Sequence, residues 1–284
     1  MSRVSYTGVV GAATAEDHGS GRHRPGRGRA DGTGVRSQYR TALNGLNSAQ
    51  KPGNGVPAYT RWINRRLGRY AAAAAYALHW TPNAVTALSA AFSLGAIVLL
   101  IVADAQPWVG LAVAVLLATG YLLDSADGQV ARLQRTGSPA GEWLDHVVDA
   151  LRAPAIHLAV LVGFWNQQQQ PWVLALALGY CLVTVVEFMS QILAEQLSKQ
   201  HSAPTPTAGI ARSFLLLPTD TGTFCWVFLV WGFPPVFVVV YAAMFAMNTL
   251  HTVISMRRKY VKLKEAGNTA RAAGHSVTRT PGHV

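Results

Sequence analysis

The sequence has little charge for its length. Only 13% of its 284 residues are Asp, Glu, Lys or Arg, whereas soluble domains carry about 25%. Charged residues are sparse between Asp104 and Glu187 and dense at both ends of the chain. This distribution argues against a soluble domain in the central region and predicts a helical membrane protein with polar tails.

Cysteines and acidic residues are also few. Cys181 and Cys225 both stand in apolar runs, which argues against a disulfide framework and predicts buried free thiols. The 13 acidic residues are outnumbered by 24 basic ones, and the net charge is +11. Basic residues that flank apolar segments follow the positive-inside rule. We therefore expect this charge to meet a lipid bilayer, and we expect no nucleic-acid partner.

The N-terminal part of the chain divides into two segments. Residues 1–57 are rich in Gly, Arg and Ser and have too little apolar content to offset the entropy of ordering, so we expect a disordered basic tail and linker. Residues 58–80 instead repeat apolar side chains at helical spacing, with arginines on another side of the helix. This pattern predicts an amphipathic helix that lies in the membrane interface.

Residues 81–258 are expected to form an all-α transmembrane catalytic domain. Apolar runs place six spans at 83–103, 108–134, 139–165, 171–194, an uncertain fifth between 213 and 233, and 235–256. Thr81 and Pro82 suit the N-cap and the first position of the first span. Residues 259–284 are predicted to form a basic polar tail. The chain is therefore predicted to be a polytopic membrane protein.

The distribution of Lys and Arg predicts the orientation of these spans. Basic residues occupy both ends of the chain and two of the loops, and the loops that alternate with them have none. Six spans with this alternation place both termini on the cytoplasmic side of the cell membrane. Residues 124–149, at the polar ends of the second and third spans, then also face the cytoplasm.

The most informative stretch joins these two polar ends. It carries eight residues at fixed spacing: Asp124, Asp127, Gly128, Ala131, Arg132, Gly141, Asp145 and Asp149. A carboxylate at a bilayer centre costs about 2.5–3.5 kcal/mol, and neighbouring carboxylates repel one another. Bound divalent cations would relieve both costs.

Helical spacing brings the acids together. Asp124 and Asp127 share one helix face, and Gly141, Asp145 and Asp149 step by four along the next helix. Such oxygen ligands suit Mg²⁺ or Mn²⁺, and a pair of ions about 3.5–4 Å apart assists displacement at phosphorus. The alternative is that the acids only form salt bridges with nearby arginines, which would leave a surplus of carboxylates.

The neighbours of the acids have a functional and a structural interpretation. Gly128 and Gly141 would let a substrate approach the backbone or would serve helix packing. Arg132 would bind a phosphate oxygen or extend to the membrane interface. Arg152 and Arg212 are candidates for an acceptor phosphate. Alternatively, the former would pair with a neighbouring acid and the latter would be a solvated loop cation.

Two further polar residues stand within apolar spans. Glu187 in the fourth span would be a polar group facing the bundle or the interface, or would contact the substrate. His157 in the third span is expected to be a core histidine with satisfied hydrogen bonds rather than a metal ligand.

At all eight fixed positions, the stretch from Asp124 to Asp149 resembles the signature of the CDP-alcohol phosphatidyltransferase family. The resemblance extends from about Thr81 to Arg258. It implies a six-helix, usually homodimeric membrane enzyme with two divalent metal ions. In that family an alcohol hydroxyl displaces CMP from a CDP-linked donor and forms a phosphodiester.

The resemblance also implies a role for each residue of the motif. Asp149 resembles the general base. The metal-binding acids correspond to Asp124, Asp127, Asp145 and Asp149. The positions that face the nucleotide correspond to Gly128, Ala131, Arg132 and Gly141.

The sequence leaves alternatives for the donor, the acceptor and the class of activity. We expect CDP-diacylglycerol as donor and a polar alcohol, such as glycerol 3-phosphate or an inositol phosphate, as acceptor. The reverse arrangement would transfer a CDP-linked headgroup to diacylglycerol. Intramembrane prenyltransferases also use acids within the membrane, but that resemblance implies two acidic motifs far apart in sequence, whereas here all four motif acids lie in one helical hairpin. A metal transporter would need polar residues along a continuous path, and the apolar first halves of the second and sixth spans offer few.

Overall fold

The computed structural model describes residues 32–48, 56–199, 213 and 216–277. All regular elements within these ranges are helical. The α-helices are α1 Gly32–Ser48, α2 Arg65–Ala77, α3 Pro82–Val102, α4 Pro107–Gln134, α5 Pro139–Asn166, α6 Pro171–Lys199, α7 Thr221–Val227 and α8 Pro234–Val277. A π-helical turn at Thr60–Asn64 precedes α2, and 3₁₀ turns flank α7 at Leu217–Thr219 and Phe228–Val230. The all-α class predicted from the sequence is confirmed.

Five of these helices are long and apolar enough to cross a membrane, namely α3, α4, α5, α6 and α8. Their outward faces carry exposed apolar side chains such as Leu94, Leu182 and Val239, which is typical of surfaces that face lipid. The chain is therefore a polytopic membrane protein.

The uncertain fifth span is a short apolar helix at Thr221–Val230. Its start is fixed by Asp220, whose carboxylate accepts a hydrogen bond from the backbone N–H of Gly222 at 3.0 Å. A buried acid used as an N-cap ends the apolar run on that side. The predicted total of six spans stays a prediction.

Caps delimit the spans that carry the acidic motif. Thr81 accepts a hydrogen bond from the N–H of Ala84 at 3.2 Å, and Pro82 is the first residue of α3, as predicted. Ser138 caps α5 in the same way. Arg135 ends α4 in the left-handed conformation, with φ of 55°. The chain therefore turns sharply from α4 into α5.

The prediction of disorder for residues 1–57 is wrong for residues 32–48, which form α1. Ala42 and Leu46 are fully buried, and Leu46 packs in a cluster with residues of α2, α3 and α4. Tyr39, Ala42 and Leu46 recur at helical spacing, but the surrounding Gly and Arg lower the average hydrophobicity. Burial of a few well-spaced side chains offsets the entropy of ordering. Residues 1–31 and 49–55 lie outside the described residues.

The predicted amphipathic helix corresponds to the π-helical turn and α2. Gly68, Ala72 and Ala75 line the side that packs towards α4, because small side chains let the two backbones approach. Ile63 and Leu67 point away from the protein and are about half exposed. An apolar stripe left uncovered by the chain is what a helix in the membrane interface requires. Its position in the interface stays a prediction.

The last helix is longer than the sequence suggested. We placed the end of the final span near residue 256 and a polar tail from residue 259, whereas α8 continues to Val277. No proline interrupts this stretch, and Lys, Glu and Ala favour helix even without apolar burial. The predicted membrane segment and the start of the predicted polar tail therefore belong to a single helix.

Aromatic side chains fill the centre of the bundle. They are Phe164, Tyr180, Phe224, Phe228, Trp231, Phe237 and Tyr241. Cys181 and Cys225 are buried free thiols, as predicted. Glycines allow the helices to approach this core, and a Cβ placed on Gly110 would lie 2.3 Å from the carbonyl oxygen of Phe228.

Gly110→Ala is expected to destabilise the bundle, because the colliding atom belongs to the backbone and cannot rotate away. Thermal unfolding of the purified protein in detergent measures the effect, and overpacking of this kind costs about 1–3 kcal/mol. Gly95→Ala is the matched control, since its Cβ would meet only Leu116 Cδ1 at 3.9 Å. Equal melting temperatures for the two variants would contradict the packing at Gly110.

Candidate active site

The acidic motif lies in a cleft between α4 and α5. Helix α3 packs against both of them, whereas α4 and α5 make few backbone contacts with each other. The open side of this arrangement is where the two polar helix ends face one another. The sequence places carboxylates on both sides of the cleft.

Three carboxylates meet in the cleft. Oxygen atoms of Asp124, Asp127 and Asp145 all lie within 4.8 Å of one another. Asp127 is the most deeply buried, at 5% exposed. Its carboxylate accepts hydrogen bonds from the hydroxyl of Thr86 at 2.6 Å and from the N–H of Gly128. The structure thus unites acids from two helices, as helical spacing predicted.

Asp149 lies one helical turn beyond Asp145 and faces the same cleft. Its carboxylate is 3.3 Å from an Nη2 of Arg152, which also donates to Asp124 at 2.7 Å. Arg152 therefore links the two helices through ion pairs. Arg152 thus pairs with neighbouring acids, which was one of its two predicted roles. Its ion pairs hold Asp149 close to the three clustered acids.

The two glycines of the motif are not required by helix packing. A Cβ on Gly128 would have only Nη1 of Arg132 within 4 Å, at 3.5 Å. On Gly141 the nearest atoms would be Ser138 Oγ at 3.4 Å and Asn83 Oδ1 at 3.7 Å. These are ordinary contacts, in contrast to the collision at Gly110. A side chain at either position would therefore meet no collision, so helix packing does not explain the two glycines.

Arg132 extends over Gly128 towards the acids. Its Nε is buried and has no hydrogen-bond partner among the residues that the structure describes. Asp127 attracts its guanidinium and Arg65, from α2, repels it. Burial lowers the pKa of Arg65, and interaction with Tyr121 opposes that shift. Arg132 beside a group of carboxylates, with Arg65 close to it, suits a ligand that bears phosphates.

Of the remaining predicted residues, Ala131 is half-buried on α4, next to Arg132. Arg212 lies outside the described residues, so its relation to the site stays a prediction.

The sequence analysis missed the contribution of α3. Thr86, Ser89 and Ser93 form a buried polar stripe on an otherwise apolar span. Ser89 donates a hydrogen bond to the carbonyl oxygen of Gly120 at 2.8 Å. Polar residues repeated at helical spacing in an apolar run were the available signal, since such residues face other helices rather than lipid.

Thr86→Val is expected to weaken divalent-metal binding by about 10–100-fold, because a group that orients a ligand from behind typically contributes that much. Titration of the purified protein with Mn²⁺, followed by electron paramagnetic resonance, measures the affinity. Thr249→Val is the matched control, since Thr249 donates to the carbonyl of Phe245 on α8. Equal Mn²⁺ affinities in both variants would show that the Thr86 bond does not organise the site.

A second buried network fastens the π-helical turn before α2 to the bundle. Asp220 accepts hydrogen bonds from the N–H and the hydroxyl of Thr60 at 2.8 Å and 2.7 Å. The same hydroxyl contacts that of Tyr121 at 2.7 Å. Because Tyr121 lies one turn before Asp124, this network fixes the π-helical turn beside the acids. No sequence pattern links these three residues.

The donor set fits a divalent cation. Three carboxylates within 4.8 Å of one another offer hard oxygen ligands and no soft sulfur or imidazole, as Mg²⁺ and Mn²⁺ prefer. Asp127 is buried, and uncompensated charge of one sign in such a position is costly. A metal ion bound there would be held by Asp124, Asp127 and Asp145.

Comparisons with known proteins give the family of the chain. The model of the CDP-alcohol phosphatidyltransferase family matches residues 79–254, more than half of the sequence. A relative from Aquifex aeolicus (strain VF5), the bifunctional IPC transferase and DIPP synthase, is 37% identical over 111 residues. The match covers 37% of this chain and 23% of that relative, so the chain corresponds to less than a quarter of the relative's length. The matched segment contains every residue of the acidic motif. The chain therefore belongs to the CDP-alcohol phosphatidyltransferase family.

Proposed function

We propose that the protein transfers a phosphatidyl group from CDP-diacylglycerol to the hydroxyl of a polar alcohol. The observation that carries this proposal is the meeting of Asp124, Asp127 and Asp145 within 4.8 Å, at the polar ends of two candidate membrane helices. A CDP-linked lipid requires a site of this kind, where a charged pyrophosphate and an acyl chain are bound together.

The donor would bind along α4. Arg132, with its unpartnered Nε, would hold phosphate oxygens, and Ala131 would face the nucleotide. The absence of side chains at Gly128 and Gly141 would let the cytidine approach the two helix backbones. Residues that position the donor reduce the entropy cost of the reaction.

Two Mg²⁺ or Mn²⁺ ions are the proposed cofactors, held by Asp124, Asp127, Asp145 and Asp149. They would supply charge stabilisation for the pyrophosphate and for the transition state. Three of the four acids already share one cluster. Asp149 would complete the set from the next turn of α5.

Asp149 is also the proposed general base. The oxygen of the acceptor hydroxyl would form a bond to the phosphorus that carries diacylglycerol, while the bond from that phosphorus to CMP breaks. Asp149 would take the proton released by the hydroxyl. Arg152 holds this carboxylate at 3.3 Å and would keep it oriented, or would bind an acceptor phosphate together with Arg212.

The surroundings of the site follow from the same proposal. The alternation of basic loops supports a cytoplasmic side for the cleft and both termini, where CDP-activated lipids and soluble alcohols would meet. A homodimer in the cell membrane is the proposed assembly.

The reverse arrangement, with a CDP-linked headgroup and diacylglycerol as acceptor, is the second candidate. Incubation of the purified protein with Mn²⁺ and either CDP-diacylglycerol plus radiolabelled polar alcohols, or radiolabelled CDP-choline plus diacylglycerol, distinguishes the two. The proposal expects labelled phospholipid and CMP only with CDP-diacylglycerol. Product formed only from CDP-choline and diacylglycerol would refute the proposed donor.

A further inference from the structure

A cavity of about 100 Å³ lies between α5, α6, α8 and the start of α7. A single water needs only about 10–15 Å³ on the same measure, so the cavity has room for a small organic group. Its polar lining includes Thr184, Glu187, Asp220 and Asn248, and Ala153 and His157 of α5 also line it. Polar groups that converge on a concave site are typical of ligand binding.

The cavity continues the reactive face of α5. Asp145, Asp149, Ala153 and His157 step by four residues along that helix, so they lie one above the other. The first two belong to the acidic cleft and the last two line the cavity. Ala153 is thus the side chain between the proposed base and the cavity. Because Ala153 is small, it adds little steric bulk between Asp149 and the cavity.

The polar residues of the lining are held in place by other groups. His157 contacts the hydroxyl of Tyr241 through Nδ1 and that of Thr184 through Nε2, so it is a satisfied core histidine, as predicted. The amide nitrogen of Asn248 donates to the hydroxyl of Tyr180 at 2.9 Å and to two backbone carbonyls. The amide oxygen of Asn248 is then available to accept from a ligand.

The charge of the cavity determines what it can bind. Glu187 and Asp220 both line it, and no Lys or Arg does so in the described part of the chain. His251 is 3.3 Å from Glu187 but does not line the cavity. Carboxylate and amide oxygens accept hydrogen bonds from hydroxyl groups, whereas a phosphate would be repelled.

We propose that this cavity binds the uncharged, hydroxyl-bearing part of the alcohol acceptor, with Glu187 and Asn248 as the groups that select a polyhydroxy alcohol. The inference rests on the proposed function. The reacting hydroxyl lies at Asp149, the remaining hydroxyls extend past Ala153, and any phosphate of the acceptor stays outside, near Arg152.

Two variants test the cavity in the full-length protein with CDP-diacylglycerol and Mn²⁺. Glu187→Gln removes the charged acceptor of hydrogen bonds. Ala153→Leu adds bulk between Asp149 and the cavity. Each is expected to raise the KM for glycerol 3-phosphate or inositol 1-phosphate by about tenfold, with the KM for CDP-diacylglycerol unchanged. Glu187→Gln also reduces the preference for each alcohol over an analogue that lacks one non-reacting hydroxyl. A purely structural role would leave that preference intact.

Matched control variants, and a separate measurement of CMP release, distinguish a failure of the cavity proposal from a failure of the proposed function. Glu195→Gln on α6 and Ala150→Leu on α5 change exposed residues of the same helices and are expected to keep wild-type constants. Normal transfer with wild-type acceptor KM in both test variants would overturn the cavity and leave the proposed function standing. An equal rise in donor KM would overturn it as well. If the wild type releases no CMP from CDP-diacylglycerol, the proposed function fails and the inference fails with it.

Discussion

Replacing Asp149 by Asn is expected to lower kcat by about 10²–10⁴-fold, the usual contribution of a general base. The amide is nearly the same size but cannot take the proton from the acceptor hydroxyl. Donor binding is expected to remain largely intact, because Arg132 and the clustered acids are unchanged. CMP release under single-turnover conditions and the donor affinity, measured on the same preparation, separate these two effects.

Asp104→Asn is the control for this substitution, because Asp104 is exposed in the loop after α3 and far along the chain from the motif. It is expected to keep the wild-type rate. Retained turnover in purified Asp149→Asn would refute the assignment of the base, and another group would have to accept the proton.

Replacing Asp127 by Asn is expected to abolish turnover and to change how stability depends on metal. In a chelator, the variant should be at least as stable as the wild type, because one of three mutually repelling carboxylates has lost its charge. A metal ion at about 100 times its Kd should stabilise the wild type by about 2.7 kcal/mol. The variant should gain much less. Thermal unfolding with EDTA and with Mn²⁺ measures both quantities.

A variant that is less stable than the wild type in EDTA, yet gains the same stability from Mn²⁺, would contradict this account. That result would mean that the buried Asp127 carboxylate serves the fold through its bond from Thr86 and does not bind the ion. Asp104→Asn again provides the reference, since it removes a charge without touching the cluster.

The local features of the fold were accessible from the sequence. Thr81 and Pro82 mark the start of α3 because a cap and a proline act within one turn, and the clustering of Asp124 with Asp127 follows from helical periodicity alone. Membership of the enzyme family agrees with that motif and favours phosphotransfer over the prenyltransferase and transporter alternatives.

Features that depend on tertiary contacts were not accessible in the same way. Thr86 reaches Asp127 only because α3 packs against α4, and the bond between Thr60 and Asp220 joins residues 160 positions apart. Helix α1 was missed because its stability comes from burying Leu46 against other helices, which average composition does not reveal. Asp149 was grouped with the other acids by spacing, whereas its nearest charged partner is Arg152.

At the centre of the proposed function is a cleft between two candidate membrane helices, where carboxylates and divalent ions would activate a CDP-linked donor. CMP release from CDP-diacylglycerol in detergent micelles, with and without EDTA, tests it most directly. We expect rapid release that requires both a divalent cation and an alcohol acceptor. Release at the same rate in EDTA, or none from CDP-diacylglycerol or CDP-choline with metal present, would contradict it.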